Sequence, residues 1–177
     1  VVRMAANFAF TLGFDQAAIM GALVFIQLIA FVATLAYIKL SKFIGLKNGI
    51  YLGIAGYLVI IFAGYFTETI THFYIVAFLI GCFQGGIQSL SRSLYSRIIP
   101  ENKAAEFYGF SNMLGKFAAV FGPILMGTVT LLLSGIVDDE ILAARFGLMS
   151  IMILFLLGGY IFSKVDIAEG EAIAKNL

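Results

Sequence analysis

Apolar and polar positions along this chain do not alternate; they fall into long uncharged blocks separated by short charged ones. Stretches free of Asp, Glu, Lys and Arg cover residues 17–38, 49–67, 73–91, 117–137 and 146–163. Each is close to the ~20 residues a helix needs to cross a hydrocarbon layer ~30 Å thick. Backbone groups find no water partner at that depth, so a spanning segment must be a helix or part of a closed barrel. Continuous apolar runs, rather than runs of period two, exclude the barrel. The pattern therefore predicts helices over about 17–39, 49–67, 73–98, 105–133 and 145–163. A shorter apolar stretch, 1–14, precedes them and reads as the remainder of a first, truncated helix. The expected fold is an all-α membrane bundle of six helices over 1–165, with a mixed-charge, solvated tail at 166–177.

Composition agrees and narrows the function classes. A mean hydropathy of +1.03, with 62% hydrophobic and 12% charged residues, lies far outside soluble usage. The net charge of +1 is spread over short loops, which gives no face for nucleic acid. The single cysteine, Cys82, lies within a span and reads as a packing residue, and the single histidine, His72, lies at a helix start. Neither a metal site nor a cofactor is implied.

The loops set the orientation. Basic residues collect between the second and third helices (Lys39, Lys42, Lys47) and between the fourth and fifth (Arg92, Arg97, Lys103). Acidic residues collect between the third and fourth (Glu68) and the fifth and sixth (Asp138, Asp139, Glu140), with Asp15 before the second. The basic loops belong on the cytoplasmic side, and the carboxyl terminus with them.

Polar side chains at membrane depth concentrate on the fourth and fifth helices. Gln84, Gln88, Ser91 and Tyr95 follow i, i+4, i+7, i+11 and share one face. Gly81, Gly85 and Gly86 leave the adjacent surface bare, for a close helix contact or for a ligand. On the fifth helix Tyr108, Asn112, Lys116 and Ala119 share a face, and Gln27 is the strongly polar side chain of the second. If the membrane begins near Phe107, Lys116 lies about 14 Å deep. A lysine facing lipid there would cost at least ~2.5–3.5 kcal/mol. It faces a wet solute or gating cavity, pairs with a carboxylate, or snorkels from a helix set deeper than assumed. Gly122 and Pro123 mark a bend in mid-helix, either ordinary irregularity or a hinge for a cavity. Arg92 and Arg97 lie one to two turns before the end of the fourth helix, where they snorkel inward or pair with Glu101 and Glu106 across the loop. No Asp or Glu lies within any span, so these residues offer no buried carboxylate for proton coupling.

The segment GCFQGGIQSLSRSLYSRIIPENKAAEFYGFSNMLGKFAAVFGPILMG resembles the major facilitator superfamily. More closely, it resembles the unknown-major-facilitator branch, related to fungal vacuolar effluxers linked to autophagy. The resemblance extends from Val2-Arg3-Met4-Ala5 through Leu12-Gly13-Phe14-Asp15-Gln16 to Val165-Asp166. It implies the carboxyl-terminal half of a twelve-helix transporter, with the missing amino-terminal half, membrane lipid and a small-molecule solute as partners. The superfamily's loop signature survives in part at IKLSKFIGLKNG: Gly45 and Lys47 match, while Ile38 replaces the first glycine and Lys42 the aspartate. The resemblance further implies that the first, second, fourth and fifth helices line a central cavity while the third and sixth face outward. Gln27, Gln84, Gln88, Asn112 and Lys116 are then the substrate-binding candidates, and Gly45, Lys47, Arg92, Arg97 and Glu106 the gating ones. The function expected is alternating-access transport or efflux of a small polar solute, with amino acids suggested by the vacuolar relatives. A bacterial inner membrane is the expected location. The alternative is a non-transporting receptor or assembly subunit with the same fold. An intramembrane protease is excluded on parts: no Gly-x-Ser-x-Gly elbow surrounds Ser89 or Ser91, and the spans hold no aspartate pair.

Overall fold

Three side chains fix where the long helices begin. Asp15 accepts the Ala17 N–H at 3.1 Å and Thr69 the His72 N–H at 3.2 Å. Asp139 accepts those of Ile141 and Leu142 at 2.9 and 3.2 Å. Each satisfies a first-turn donor that the helix itself leaves open. In the computed structural model, which describes residues 2–137 and 139–176, the order is α1 (Val2–Thr11), α2 (Gln16–Ile44), α3 (Leu46–Tyr65) and α4 (Ile70–Ile98). After a 3₁₀ turn (Glu101–Lys103) come α5 (Ala104–Ser134), α6 (Glu140–Ser163) and α7 (Ile167–Asn176). Val1, Leu177 and Asp138 of the acid-rich loop lie outside the described residues. The described residues are helix and connector without a strand, and five helices, α2 to α6, are long and apolar enough to cross a membrane.

Helices outrun the uncharged blocks. α2 continues past Lys39 and Lys42 to Ile44, and α6 begins at Glu140. Charge marks where hydrocarbon ends, whereas the hydrogen-bond ladder runs on into the headgroup zone. α2 stops only at Gly45, whose φ of +85° suits a residue without Cβ, and whose N–H returns to Ser41 O at 2.9 Å. That single residue is the whole α2–α3 connection.

α4 packs between α2 and α3, and glycines let both come close. Gly81 faces Ile29 and the Ile26 carbonyl, Gly85 faces Thr34 and the Ala30 carbonyl, and Gly86 lies under the Tyr37 ring, all on α2. On the other side, Gly49, Gly53 and Gly56 of α3 receive Leu90, Ile87 and Phe83 of α4 in antiparallel order. The bare surface around Gly81–Gly86 is therefore filled by a helix rather than by a ligand. Tyr37 crosses the same seam, its hydroxyl donating to Gly49 O at 2.7 Å.

A second seam repeats the device. Thr130 donates to Met126 O at 2.9 Å and presents itself to Gly147 of α6, as Thr34, bonded to Ala30 O at 2.6 Å, presents itself to Gly85. Folding the hydroxyl back on its own helix satisfies it, so the threonine can be pressed against a glycine at no polar cost. Around these seams Ala9, Ile19, Ile26 and Ile80 form one core cluster, and Met4, Phe8, Ile61 and Leu148 another. α5 is the exception. Gly122, where Met4 of α1 comes close, is its one buried residue among those described.

The carboxyl-terminal segment does not run free as a solvated end. α7 packs on the end of α4, with Gly170 against Ile98 and Glu171 3.8 Å from Arg97.

Candidate functional site: a polar cleft between α4 and α5

A cleft of about 690 Å³ opens between α4 and α5. Gln84, Gln88, Ser91 and Arg92 line its α4 wall, and Ala119, Gly122 and Pro123 its α5 wall. Its floor is the stacked pair Tyr57 of α3 and Phe155 of α6, ring centroids 5.0 Å apart and planes 24° from parallel. At the basic end the two walls are tied together. Tyr95 donates to Phe107 O at 2.7 Å and its ring meets Tyr108 edge-on at 5.5 Å. The stripe Gln84–Gln88–Ser91 on α4 and the stripe Asn112–Lys116 on α5 both start from this aromatic pair.

The chemistry of the α4 wall is that of an unfinished hydrogen-bond network. Gln84 Oε1 is buried and has no hydrogen-bond donor within reach among the described residues. A buried amide oxygen left in that state costs about 1–3 kcal/mol, and a donor in the cleft relieves it once the Gln84 side chain turns toward the opening. Gln88, Ser91 and the Arg92 guanidinium are more exposed and supply further donors along the same wall. No carboxylate lines the cleft, so its single charged group is positive. Among the described residues no three His, Cys, Asp or Glu side chains gather where they could hold a metal ion.

The structure thus brings together Gln84 and Gln88 and adds Arg92 to them. Gln27 lies exposed on α2, and Asn112 and Lys116 lie exposed on α5; none of the three lines the cleft. Lys116 makes no hydrogen bond or ion pair among the described residues. Arg97 turns to Glu171 of α7, not to Glu101 or Glu106, and Glu106 stands exposed in the first turn of α5. Lys47 reaches across to the α6–α7 connector, donating to Val165 O at 2.8 Å with its ammonium 6.0 Å from the ring centroid of Phe162 near the end of α6. Helix α5 runs unbroken through Gly122 and Pro123.

Two features, the floor of the cleft and a clamp at the far end of the bundle, were not legible as such. Tyr57 and Phe155 belong to helices expected to face outward, yet they form the floor; a hydroxyl in the middle of the uncharged block 49–67 was the available signal. Arg145, one residue before the last block, bonds the Thr67 carbonyl at 3.4 Å and Glu68 at 3.3 Å, over the Tyr65 ring at 5.8 Å. It locks α6 to the α3–α4 connection, at the bundle end opposite to the basic loops.

Comparison with known proteins places this architecture. The chain is 34% identical over 165 residues to the uncharacterized MFS-type transporter YxiO of Bacillus subtilis, covering 93% of this chain and 37% of that protein. Over 104 residues, 59% of the chain, it is 29% identical to Autophagy-related protein 22 of Vanderwaltozyma polyspora and 25% identical to that of Saccharomyces cerevisiae. Those alignments cover 18% of each fungal protein. The chain therefore spans little more than a third of the curated relatives it matches, at most. No solved structure matches it. The family model described as vacuole effluxer Atg22-like matches residues 1–175. With nearly every residue inside that match, the chain belongs to the vacuole effluxer Atg22-like family, a branch of the major facilitator superfamily.

Proposed function

We propose that this chain is the carboxyl-terminal six-helix half of a secondary transporter that moves a small polar solute by alternating access, and that the solute path runs along the α4–α5 cleft. The observation that carries the reading is the unpartnered Gln84 oxygen, buried in a wall that otherwise offers donors and one cation. Such a wall suits a solute bearing both an N–H donor and a carboxylate, and amino acids are the class proposed. Gln84 accepts from the solute's amino group, while Ser91 and Arg92 hold its carboxylate. Asn112 and Lys116 continue the path on the exposed face of α5, toward the amino-terminal half. Rocking of the two halves exposes the cleft to each side in turn, in a bacterial inner membrane with the basic loops cytoplasmic.

The test is counterflow of radiolabelled amino acids in vesicles carrying the complete polypeptide. Gln84→Leu keeps the side-chain bulk and removes the acceptor, and Lys116→Met removes the charge. Both variants lose uptake at least tenfold while eluting as monodisperse protein, a tenfold loss corresponding to about 1.4 kcal/mol of solute binding or transition-state stabilisation. Wild-type rates in both variants would overturn the assignment of the path. Absence of counterflow for every amino acid tried would overturn the solute class.

A further inference from the structure

Helix α4 carries a second polar stripe that the solute path does not use. Ser89, Ser93 and Arg97 follow i, i+4, i+8 and so share a face different from that of Gln84, Gln88 and Ser91. They line a separate cleft of about 480 Å³ at the basic end of the bundle, bounded on the α2 side by Ser41 and Lys42. Two cations and three hydroxyls therefore meet there, and no carboxylate lines the space. Ser41 is already committed, donating to Ile38 O at 2.8 Å, whereas the Ser89 and Ser93 hydroxyls have no acceptor among the described residues. Lys42 has no ion-pair partner among them either. The acid within ion-pair range of Arg97 among the described residues is Glu171, at 3.8 Å and in the open, where solvent screens it, and Glu101 lines the neighbouring recess with both.

Lys42 and Arg97 line one recess together with the Ser89 and Ser93 hydroxyls and no carboxylate, a set of donors that suits an anion. What surrounds the recess identifies the anion's carrier. Phe31, Leu35, Ile38 and Lys42 follow i, i+4, i+7, i+11 along α2, one continuous stripe. Phe31 is 72% exposed, Leu35 56% and Ile38 38%, so an apolar track on a membrane-spanning helix leads straight to Lys42. A free phosphate would use the cations and hydroxyls but leave the track bare. A phospholipid uses both.

We propose that the cleft between α2 and α4 holds the phosphate of an anionic membrane lipid, between Lys42, Arg97 and the Ser89 and Ser93 hydroxyls, with an acyl chain along Phe31, Leu35 and Ile38. The site is independent of the transported solute. A bound headgroup would clamp the ends of α2 and α4 together below the glycine seam that already joins them.

The complete polypeptide in detergent is titrated with phosphatidylglycerol, phosphatidylcholine or inorganic phosphate, and bound molecules are counted by native mass spectrometry. The wild type binds phosphatidylglycerol in preference to phosphatidylcholine, and millimolar inorganic phosphate does not displace it. Each basic residue near an anionic headgroup is worth about fivefold in affinity, so Lys42→Gln/Arg97→Gln weakens phosphatidylglycerol binding about thirtyfold. Lys42→Gln alone weakens it about fivefold. Lys42→Arg binds as the wild type does, and so does Lys103→Gln, which removes a neighbouring cation outside the cleft. Equal binding of the two lipids, or undiminished binding by both glutamine variants, would overturn the proposal. Displacement by inorganic phosphate would assign the cleft to a free anion instead. A folded wild type that binds no lipid would assign it to an acidic side chain of the amino-terminal half.

Discussion

The substitution Gly85→Ala puts the central seam of this bundle to a quantitative test. A methyl group at Gly85 would lie 2.9 Å from the Ala30 carbonyl oxygen, well inside contact distance, and nearer still to the Thr34 hydroxyl. The threonine cannot swing away without giving up its 2.6 Å bond to Ala30 O, and the carbonyl belongs to the α2 backbone. Helix α2 itself must therefore move away from α4, along a seam that also holds Gly81 and Gly86. Alanine's helix preference favours the variant by about 0.5–1 kcal/mol, while forcing a methyl group into a filled seam costs about 1–3 kcal/mol. The net expectation is a loss of up to about 2.5 kcal/mol, centred on about 1 kcal/mol. Gly115 and Gly127 of α5 are the controls, because a methyl group at either meets nothing within 4 Å. Thermal unfolding of the purified complete protein should rank Gly85→Ala below wild type, and Gly115→Ala and Gly127→Ala at or above it. Adding Thr34→Ala to Gly85→Ala relieves the hydroxyl clash but not the carbonyl one, so it restores part of the loss. If Gly85→Ala unfolds at the same temperature as Gly115→Ala, the α2–α4 packing described above is wrong.

Two further substitutions probe individual bonds. Tyr37→Phe keeps the ring over Gly86 and removes only the bond to Gly49 O; it should lower stability by about 0.5–1.5 kcal/mol in the same unfolding assay. At the opposite end of the bundle the two partners of the Arg145–Glu68 pair should respond unequally. Glu68 is two-thirds exposed, so Glu68→Gln costs less than about 1 kcal/mol. Arg145 is only 19% exposed, and Arg145→Met strips the Thr67 carbonyl and the Tyr65 ring of their cation together, a loss of about 1–2 kcal/mol. Equal losses in the two variants would show that the carboxylate, not the buried guanidinium, holds that end.

The helices were legible because hydrocarbon tolerates no charge, and uncharged blocks leave an unmistakable trace. Their ends were less so. The second helix was expected to end at Lys39, yet it runs on past Lys42 to Ile44, since a side chain can reach water while its backbone stays helical. The tail at 166–177 read as solvated because Glu169, Glu171 and Lys175 alternate with apolar residues, yet Gly170 and Glu171 give α7 a docking face on α4. On the site, period alone placed Gln84, Gln88 and Ser91 on one wall. It could not place Tyr57 and Phe155 below them, because which helix closes a cleft is a tertiary fact with no mark in a uniformly apolar segment. The same limit applied to the glycines of α4, which fit a ligand or a helix equally well until Tyr37 and Thr34 were found occupying them.

Gly45 has a consequence for how this bundle tolerates change in length. Because one residue joins α2 to α3, the angular phase of α3 is dictated by α2 with no slack between them. Inserting a residue at that joint would turn α3 by about 100° about its axis. The hollows at Gly49, Gly53 and Gly56 would swing away from Leu90, Ile87 and Phe83, and bulkier faces would be driven against α4 in their place. Length variation among relatives should therefore be absent at this joint and gather instead at 135–139, where the helices on either side are joined by several residues.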